Sequence, residues 1–120
     1  MQTILLDTDY AINFLRGKSA IIKPLIINNT AFLSMLSVYE IYAGIRPGEE
    51  IDTSHFIQAC RIEMITLDIA KNAGMFRYQQ QKKGMTLSVV DCIIGETARL
   101  NNHLIATNNK KQYPTATFWP

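Results

Sequence analysis

The sequence is poor in the residues that most often announce chemistry. Its two cysteines, Cys60 and Cys92, form no Cys-x-x-Cys pair and sit among apolar neighbours, so they read as buried thiols and not as a redox or zinc motif. His55 and His103 have no second His or Cys at ligand spacing, which argues against a zinc site. No apolar run is long enough to span a bilayer. The start, Met1-Gln2-Thr3, lacks a basic segment, and Asp7 interrupts the apolar run too soon for a secretory leader. Cytoplasm is therefore the expected location, with no membrane partner. A strong charge excess is missing as well: the formal net charge is +2, which neither demands nor excludes nucleic acid. Lys82-Lys83 and Lys110-Lys111 are the candidate basic patches, although paired lysines are commonly just solvated. There is no internal repeat or low-complexity segment, and 120 residues leave no room for a second domain, so 1–120 reads as one unit. With 48% hydrophobic and 18% charged residues, such a chain buries a core without disulfides or structural zinc.

What is present alternates between short apolar runs and helical periodicity. Thr3–Leu6 reads as a buried strand stopped by Asp7, and Tyr10–Arg16 as a helix ended by Gly17. A second helical piece covers 19–27, weakened by Pro24, before a strand over 31–36. Ser37-Val38-Tyr39-Glu40 has the form of a capping box, and Val38, Ile41, Tyr42 and Ile45 then fall on one helical face, closed by Pro47-Gly48. A short helix over 53–60, a strand over 62–67 and a longer helix capped by Asp68 and running to Gly84 follow. Ser88-Val89-Val90-Asp91 opens another helix with the stripe Val90, Ile93, Ile94, Thr97 and Ala98. A strand over 103–107, a loop over 108–114 and an edge strand over 115–119 complete the chain. Strands alternating with helices predict an α/β fold, a parallel sheet of four to five strands covered by helices on both faces.

In such a sheet ligands bind beyond the carboxyl ends of the strands. Asp7 ends the first strand, Glu40 lies in the predicted first turn of the helix after the second, and Asp91 opens the helix before the fourth. Gathered carboxylates repel one another unless a cation neutralises them, and a hard ion such as Mg²⁺ suits oxygen ligands. Such an ion lowers the pKa of a bound water and aids in-line attack on a phosphodiester. Each acid also has a purely structural role open to it. Glu40 and Asp91 occupy capping-box positions, and Asp7 could cap the first helix. An acid ending an apolar strand is nonetheless awkward to bury without a partner.

At these residues the chain resembles the PIN-domain family, specifically VapC-type toxins. Ile4-Leu5-Leu6-Asp7-Thr8-Asp9 is similar to the family's opening strand with its first acid. Ser37-Val38-Tyr39-Glu40-Ile41-Tyr42-Ala43-Gly44-Ile45 resembles the helix carrying the second acid, and Leu87-Ser88-Val89-Val90-Asp91-Cys92-Ile93-Ile94-Gly95 the helix start carrying the third. Ile105-Ala106-Thr107-Asn108-Asn109 resembles the strand and loop where the family places a Thr and then an Asn or Asp. The resemblance implies a PIN-like fold and a toxin that hydrolyses RNA, with tRNA or rRNA as expected targets. It implies Mg²⁺ or Mn²⁺ at the acids, a homodimer, and a cognate antitoxin that blocks the site. It makes Asp7, Glu40 and Asp91 the metal ligands and catalytic residues, supported through hydrogen bonds by Thr107 and Asn109. One departure stands out: many relatives carry a fourth acid where this chain has Asn109 or, three residues on, Gln112. An amide brings no charge, which weakens the case for a second ion. Asp9 could compensate, or could face solvent.

Other readings are open at this point. Asp7-Thr8-Asp9 imitates the Asp-x-Asp of haloacid-dehalogenase-like phosphatases, although Ala11 replaces their usual Thr and no late acidic pair follows a strand. A PIN domain that binds without cleaving is another alternative. Glu96, five residues past Asp91, is expected to face solvent. Tyr113 and Trp119 could stack on bases or pack in the core, and Arg16, Arg46 and Arg99 could meet phosphate.

Overall fold

The computed structural model describes residues 1–120. Its elements in chain order are β1 (Ile4–Leu6), α1 (Thr8–Leu15), α2 (Lys23–Ile27), β2 (Ala31–Ser34), α3 (Met35–Ala43), α4 (Glu50–Ala59) and β3 (Arg61–Glu63). There follow α5 (Leu67–Lys82), α6 (Val89–Asn101), β4 (Leu104–Ala106), a 3₁₀ turn (Lys110–Gln112) and β5 (Phe118–Trp119). The five strands form one parallel sheet in the order β3-β2-β1-β4-β5.

Residues of β1 explain why the sheet must be covered twice. Ile4 and Leu6 point to one face and Leu5 to the other, and all three are essentially inaccessible. On the first face Ile4, Leu6 and Leu33 pack against Ala11, Ile22, Leu25, Ile41 and Phe56 of the α1–α4 region. On the second, Leu5, Phe32 and Ile105 meet Ile94, Ala98 and Tyr113. Helix α5 lies outside α6, joined to it through Ile69, Ala73, Cys92 and Ile93. Each fully buried Leu or Ile contributes about 1.5–3 kcal/mol. The predicted two-faced parallel sheet is therefore what forms. Cys60 and Cys92 are buried free thiols, as expected, and burial pushes the Cys60 thiol up to about 12. No helix is long and apolar enough to cross a membrane.

Several boundaries differ from the sequence reading, each for a local reason. The second strand stops at Ser34, whose Oγ accepts from the Leu36 N–H and caps α3 three residues before the predicted Ser37. Thr66, not Asp68, caps α5, accepting from Ile69 N at 3.2 Å. Pro24 lies in the first turn of a shortened α2, where its missing N–H is harmless. The third strand ends at Glu63, leaving Met64, Ile65 and Leu67 exposed. The last loop contains the 3₁₀ turn, and β5 is only Phe118–Trp119.

The strand order places the site. From β1 the chain steps outward to β2 and β3, then returns to the far side of β1 to form β4 and β5. The direction of winding reverses between β1 and β4, and a crevice opens beyond their carboxyl ends at such a switch point. The residues there are Asp7, whose N–H bonds Ala106 O at 3.0 Å, and Thr107.

Candidate active site

Asp7 does two jobs at once. Its Oδ1 accepts from Tyr10 N at 2.9 Å, capping α1, as its structural role required. Its Oδ2 accepts from the Thr107 hydroxyl at 2.5 Å and lies 3.3 Å from the Tyr113 hydroxyl. The residue is only 8% exposed. Burial raises its pKa above the ordinary carboxylate value, outweighing the hydrogen bonds from Thr107 and Tyr10, and the charges of Asp9 and Asp91 push it the same way.

Asp91 reaches this crevice because α6 runs back against the strands and presents its first turn at their carboxyl ends. The Ser88 cap is as predicted: Ser88 Oγ accepts from Asp91 N at 3.0 Å. The Asp91 carboxylate does not close the capping box, however. Its Oδ1 accepts from the Tyr113 hydroxyl at 3.0 Å. One phenolic hydroxyl thus stands between Asp7 and Asp91. Burial and the two adjacent negative charges drive the Tyr113 pKa far upward, so the phenol stays a donor. Gly95, one turn beyond Asp91, lies beneath its ring, where a Cβ would make an ordinary contact with Tyr113 Cδ1 at 3.7 Å.

Glu40 arrives by another route. With Ser34 as the cap, Glu40 falls in the second turn of α3, where no free backbone N–H needs it. Its capping role is therefore gone. Instead Glu40 Oε1 accepts from the Thr8 hydroxyl at 2.7 Å, and Thr8 Oγ1 lies 3.0 Å from the buried Ser37 hydroxyl. A single proton on Thr8 cannot serve both, so Ser37 donates to Thr8 and Thr8 donates to Glu40. Thr8 follows Asp7 directly, and this relay ties α3 to the end of β1.

The three acids thus lie along one rim, Asp7 linked to Asp91 through Tyr113 and to Glu40 through the adjoining Thr8. No three His, Cys, Asp or Glu side chains are close enough to hold a metal ion in their present rotamers. Asp9 is exposed in the first turn of α1. Asn109 meets the site through its backbone, its N–H donating to Thr107 Oγ1 at 2.9 Å. Glu96 does not face solvent: its side chain is 10% exposed and accepts from Arg99 Nε at 3.0 Å. Arg16 is likewise held by Glu49, at 3.2 Å. His103 is packed between Thr3 and Glu63, its Nε2 2.6 Å from Glu63 Oε1.

Sequence reasoning did not find Thr8 or the bridging role of Tyr113. The hydroxyls were there to be counted, but the partners of Tyr113 lie 22 and 106 residues away, beyond any local pattern.

The chain belongs to the PIN-domain family, whose model matches residues 4–117. Within that family it is similar to Ribonuclease VapC19 of Mycobacterium tuberculosis, with 31% identity over 116 residues covering 92% of this chain and 91% of the relative. In fold it matches the toxin–antitoxin complex VapBC of Salmonella typhimurium bound to DNA, with a TM-score of 0.83 and 20% identity over 98% of this chain and 96% of the other. It also matches VapC20 of M. tuberculosis, a sarcin-ricin-loop-cleaving toxin, with a TM-score of 0.72 and 14% identity over 96% and 97% of the two chains. The phosphatase reading of Asp7-Thr8-Asp9 falls with this assignment.

Proposed function

We propose that this chain, one PIN domain over residues 1–120, is a cytoplasmic endoribonuclease toxin restrained by a cognate antitoxin, with Asp7, Glu40 and Asp91 as its catalytic acids. The observation that carries the reading is the placement of Asp7 and Asp91 around one Tyr113 hydroxyl at the switch point of a PIN-family sheet, with Glu40 bonded to Thr8, the residue after Asp7. The relationship to Ribonuclease VapC19 supports RNA as substrate, and the likeness to VapBC supports an antitoxin partner. The exposed apolar residues Met35, Tyr39 and Tyr42, on one side of α3, suit a homodimer contact.

The donor chemistry fits a divalent cation, Mg²⁺ or Mn²⁺. All three candidate ligands are carboxylates, and Asp7 is held in a buried setting where neighbouring negative charge already disfavours its ionised form. Asp7, Glu40 and Asp91 would hold the ion, which supplies charge neutralisation at the phosphate and a more acidic water. Thr107 orients the Asp7 carboxylate, and Thr8 that of Glu40. Asp9, exposed beside Asp7, and Asn109, bound to Thr107 through its N–H, support the site from its margin. Tyr113 donates its one proton to Asp91 and keeps its hydroxyl within 3.3 Å of Asp7.

The test is cleavage of RNA by the purified chain with Mg²⁺, with Mn²⁺ and with chelator. Cleavage that stops with chelator is expected. Binding without any cleavage would instead favour a PIN domain that only binds, and cleavage indifferent to chelator would remove the divalent cation from the mechanism.

Tyr113→Phe gives a second expectation. Removing the phenolic hydroxyl leaves Asp91 without this donor and lowers metal-free stability by about 1 kcal/mol. The positive charge of Mg²⁺ then has more repulsion to relieve, so the rise in melting temperature on adding Mg²⁺ should be larger than in the wild type. An equal or smaller rise contradicts the bridging role.

A further inference from the structure

Beside the acids lies a cleft of about 650 Å³ whose lining includes Tyr10, Thr107, Asn109, Lys110, Lys111 and Trp119. Two of its lining residues also bond the site: the Thr107 hydroxyl donates to Asp7, and the Tyr10 N–H caps the same carboxylate. Strand register fixes its far wall. Trp119 on the edge strand β5 is paired with Ala106, the residue before Thr107. Trp119 and Tyr10 both pack on the apolar cluster beneath the α1–α4 face, and each keeps part of its surface accessible. Neither Lys110 nor Lys111 is paired with a carboxylate; the chain's ion pairs are Arg16–Glu49, Arg99–Glu96 and His103–Glu63. Lys110 Nζ sits 5.4 Å from the centroid of the Phe118 ring, which keeps it near β5.

Aromatic surfaces anchored on a core, two uncompensated cations and a side-chain amide are the three things that recognise a single-stranded nucleotide. The rings stack on the base, the ammonium groups meet phosphate, and the amide reads a base edge. An acidic peptide would use the lysines but would leave the aromatic walls and Asn109 without a matching group. We infer that this cleft is a subsite for an RNA nucleotide adjoining the bond to be cut, its base against Trp119 and Tyr10 and its phosphate at Lys110 and Lys111. The inference rests on the ribonuclease reading and deepens it.

Trp119 is the only tryptophan in the chain, so its fluorescence reports on the cleft alone. The probe is a short single-stranded oligoribonucleotide added with chelator present, so that binding is read without turnover. Saturable quenching of Trp119 is expected. Lys110→Ala and Lys111→Ala, both at exposed positions, should each weaken binding and reduce the slope of log affinity against log salt by about 0.7. Trp119→Phe keeps an apolar side chain on the core and a smaller stacking surface. With a labelled oligonucleotide read by anisotropy it should bind several-fold more weakly, and Trp119→Ala on the order of tenfold more weakly. If the wild type cleaves RNA but bound oligonucleotide leaves Trp119 unquenched and both lysine variants bind normally, the subsite is wrong and the ribonuclease reading stands. Equal quenching by a poly-glutamate peptide at the same salt would overturn the assignment to a nucleotide. If RNA is neither cut nor bound, both readings fall.

Discussion

Asp7→Asn is expected to lower RNA cleavage by more than about a hundredfold, beyond what losing a mere supporting partner of a metal site costs. The same change should make the metal-free protein more stable at neutral pH, by on the order of 1 kcal/mol. The two effects share one cause. The fold buries Asp7 and surrounds it with Asp9 and Asp91, raising its pKa, so the folded state prefers a neutral group there. Below the pKa of the unfolded chain's carboxylate both states are neutral and nothing is lost. As pH rises through the higher folded value, the folded protein bears an ionised buried acid and is destabilised. Asn removes that penalty and still caps α1 through its side-chain oxygen. The stability advantage should therefore be fully present at pH 7 and shrink as pH falls into the carboxylate range. Thermal melts with chelator at neutral and acid pH measure it, and a variant less stable than wild type at pH 7 would contradict the electrostatic account. Glu40→Gln and Asp91→Asn should also lose most cleavage while remaining folded. Wild-type activity in all three variants would refute the assignment of the acids.

How far the sequence could be read depended on how local the cause was. The end of β1 was legible because a strand buried on both faces is a continuous apolar run and Asp7 interrupts it, whereas β4 stops at Ala106, one residue before the expected end at Thr107. Asp91 was legible because the Ser88 cap is a contact over three residues. The start of α3 was misread for the same kind of reason. Ser34-Met35-Leu36-Ser37 offers two serines, and the apolar pair between them extends the strand pattern until the backbone is seen to turn at Ser34. That shift of three residues changed the meaning of Glu40. In the first turn it has a structural excuse, whereas in the second turn its side chain bonds the Thr8 hydroxyl instead. Tyr113 was legible only as an aromatic in a loop. Its position over Gly95 and between two acids depends on the β4–β5 connection folding back across α6, a tertiary fact with no sequence period. Glu96 was misplaced because five residues along a helix puts it off the Asp91 stripe without exposing it; the Arg99 side chain lies along it instead.

Thr107→Val separates orientation from charge at this site. Valine matches the shape of threonine but removes the hydroxyl that donates to Asp7 and accepts from Asn109 N. Two consequences follow. Asp7 loses the strongest interaction that lowers its pKa, so burial and the neighbouring acids raise it further. The carboxylate also loses the contact that holds Oδ2 in place, while Tyr10 N still holds Oδ1. Because a cation needs Asp7 ionised, its affinity must fall as pH drops through the Asp7 pKa, and that fall should set in at higher pH in the variant. At neutral pH the expected weakening is about 10–100-fold, the usual result of removing a hydrogen-bond partner that orients a metal ligand. Mn²⁺ titrations followed by calorimetry across the acid range distinguish the outcomes. A uniform weakening with no displacement of the pH dependence would mean that Thr107 acts by geometry alone. A displacement toward lower pH would mean that the hydroxyl does not stabilise the ionised carboxylate at all, and the electrostatic account of Asp7 would have to be abandoned.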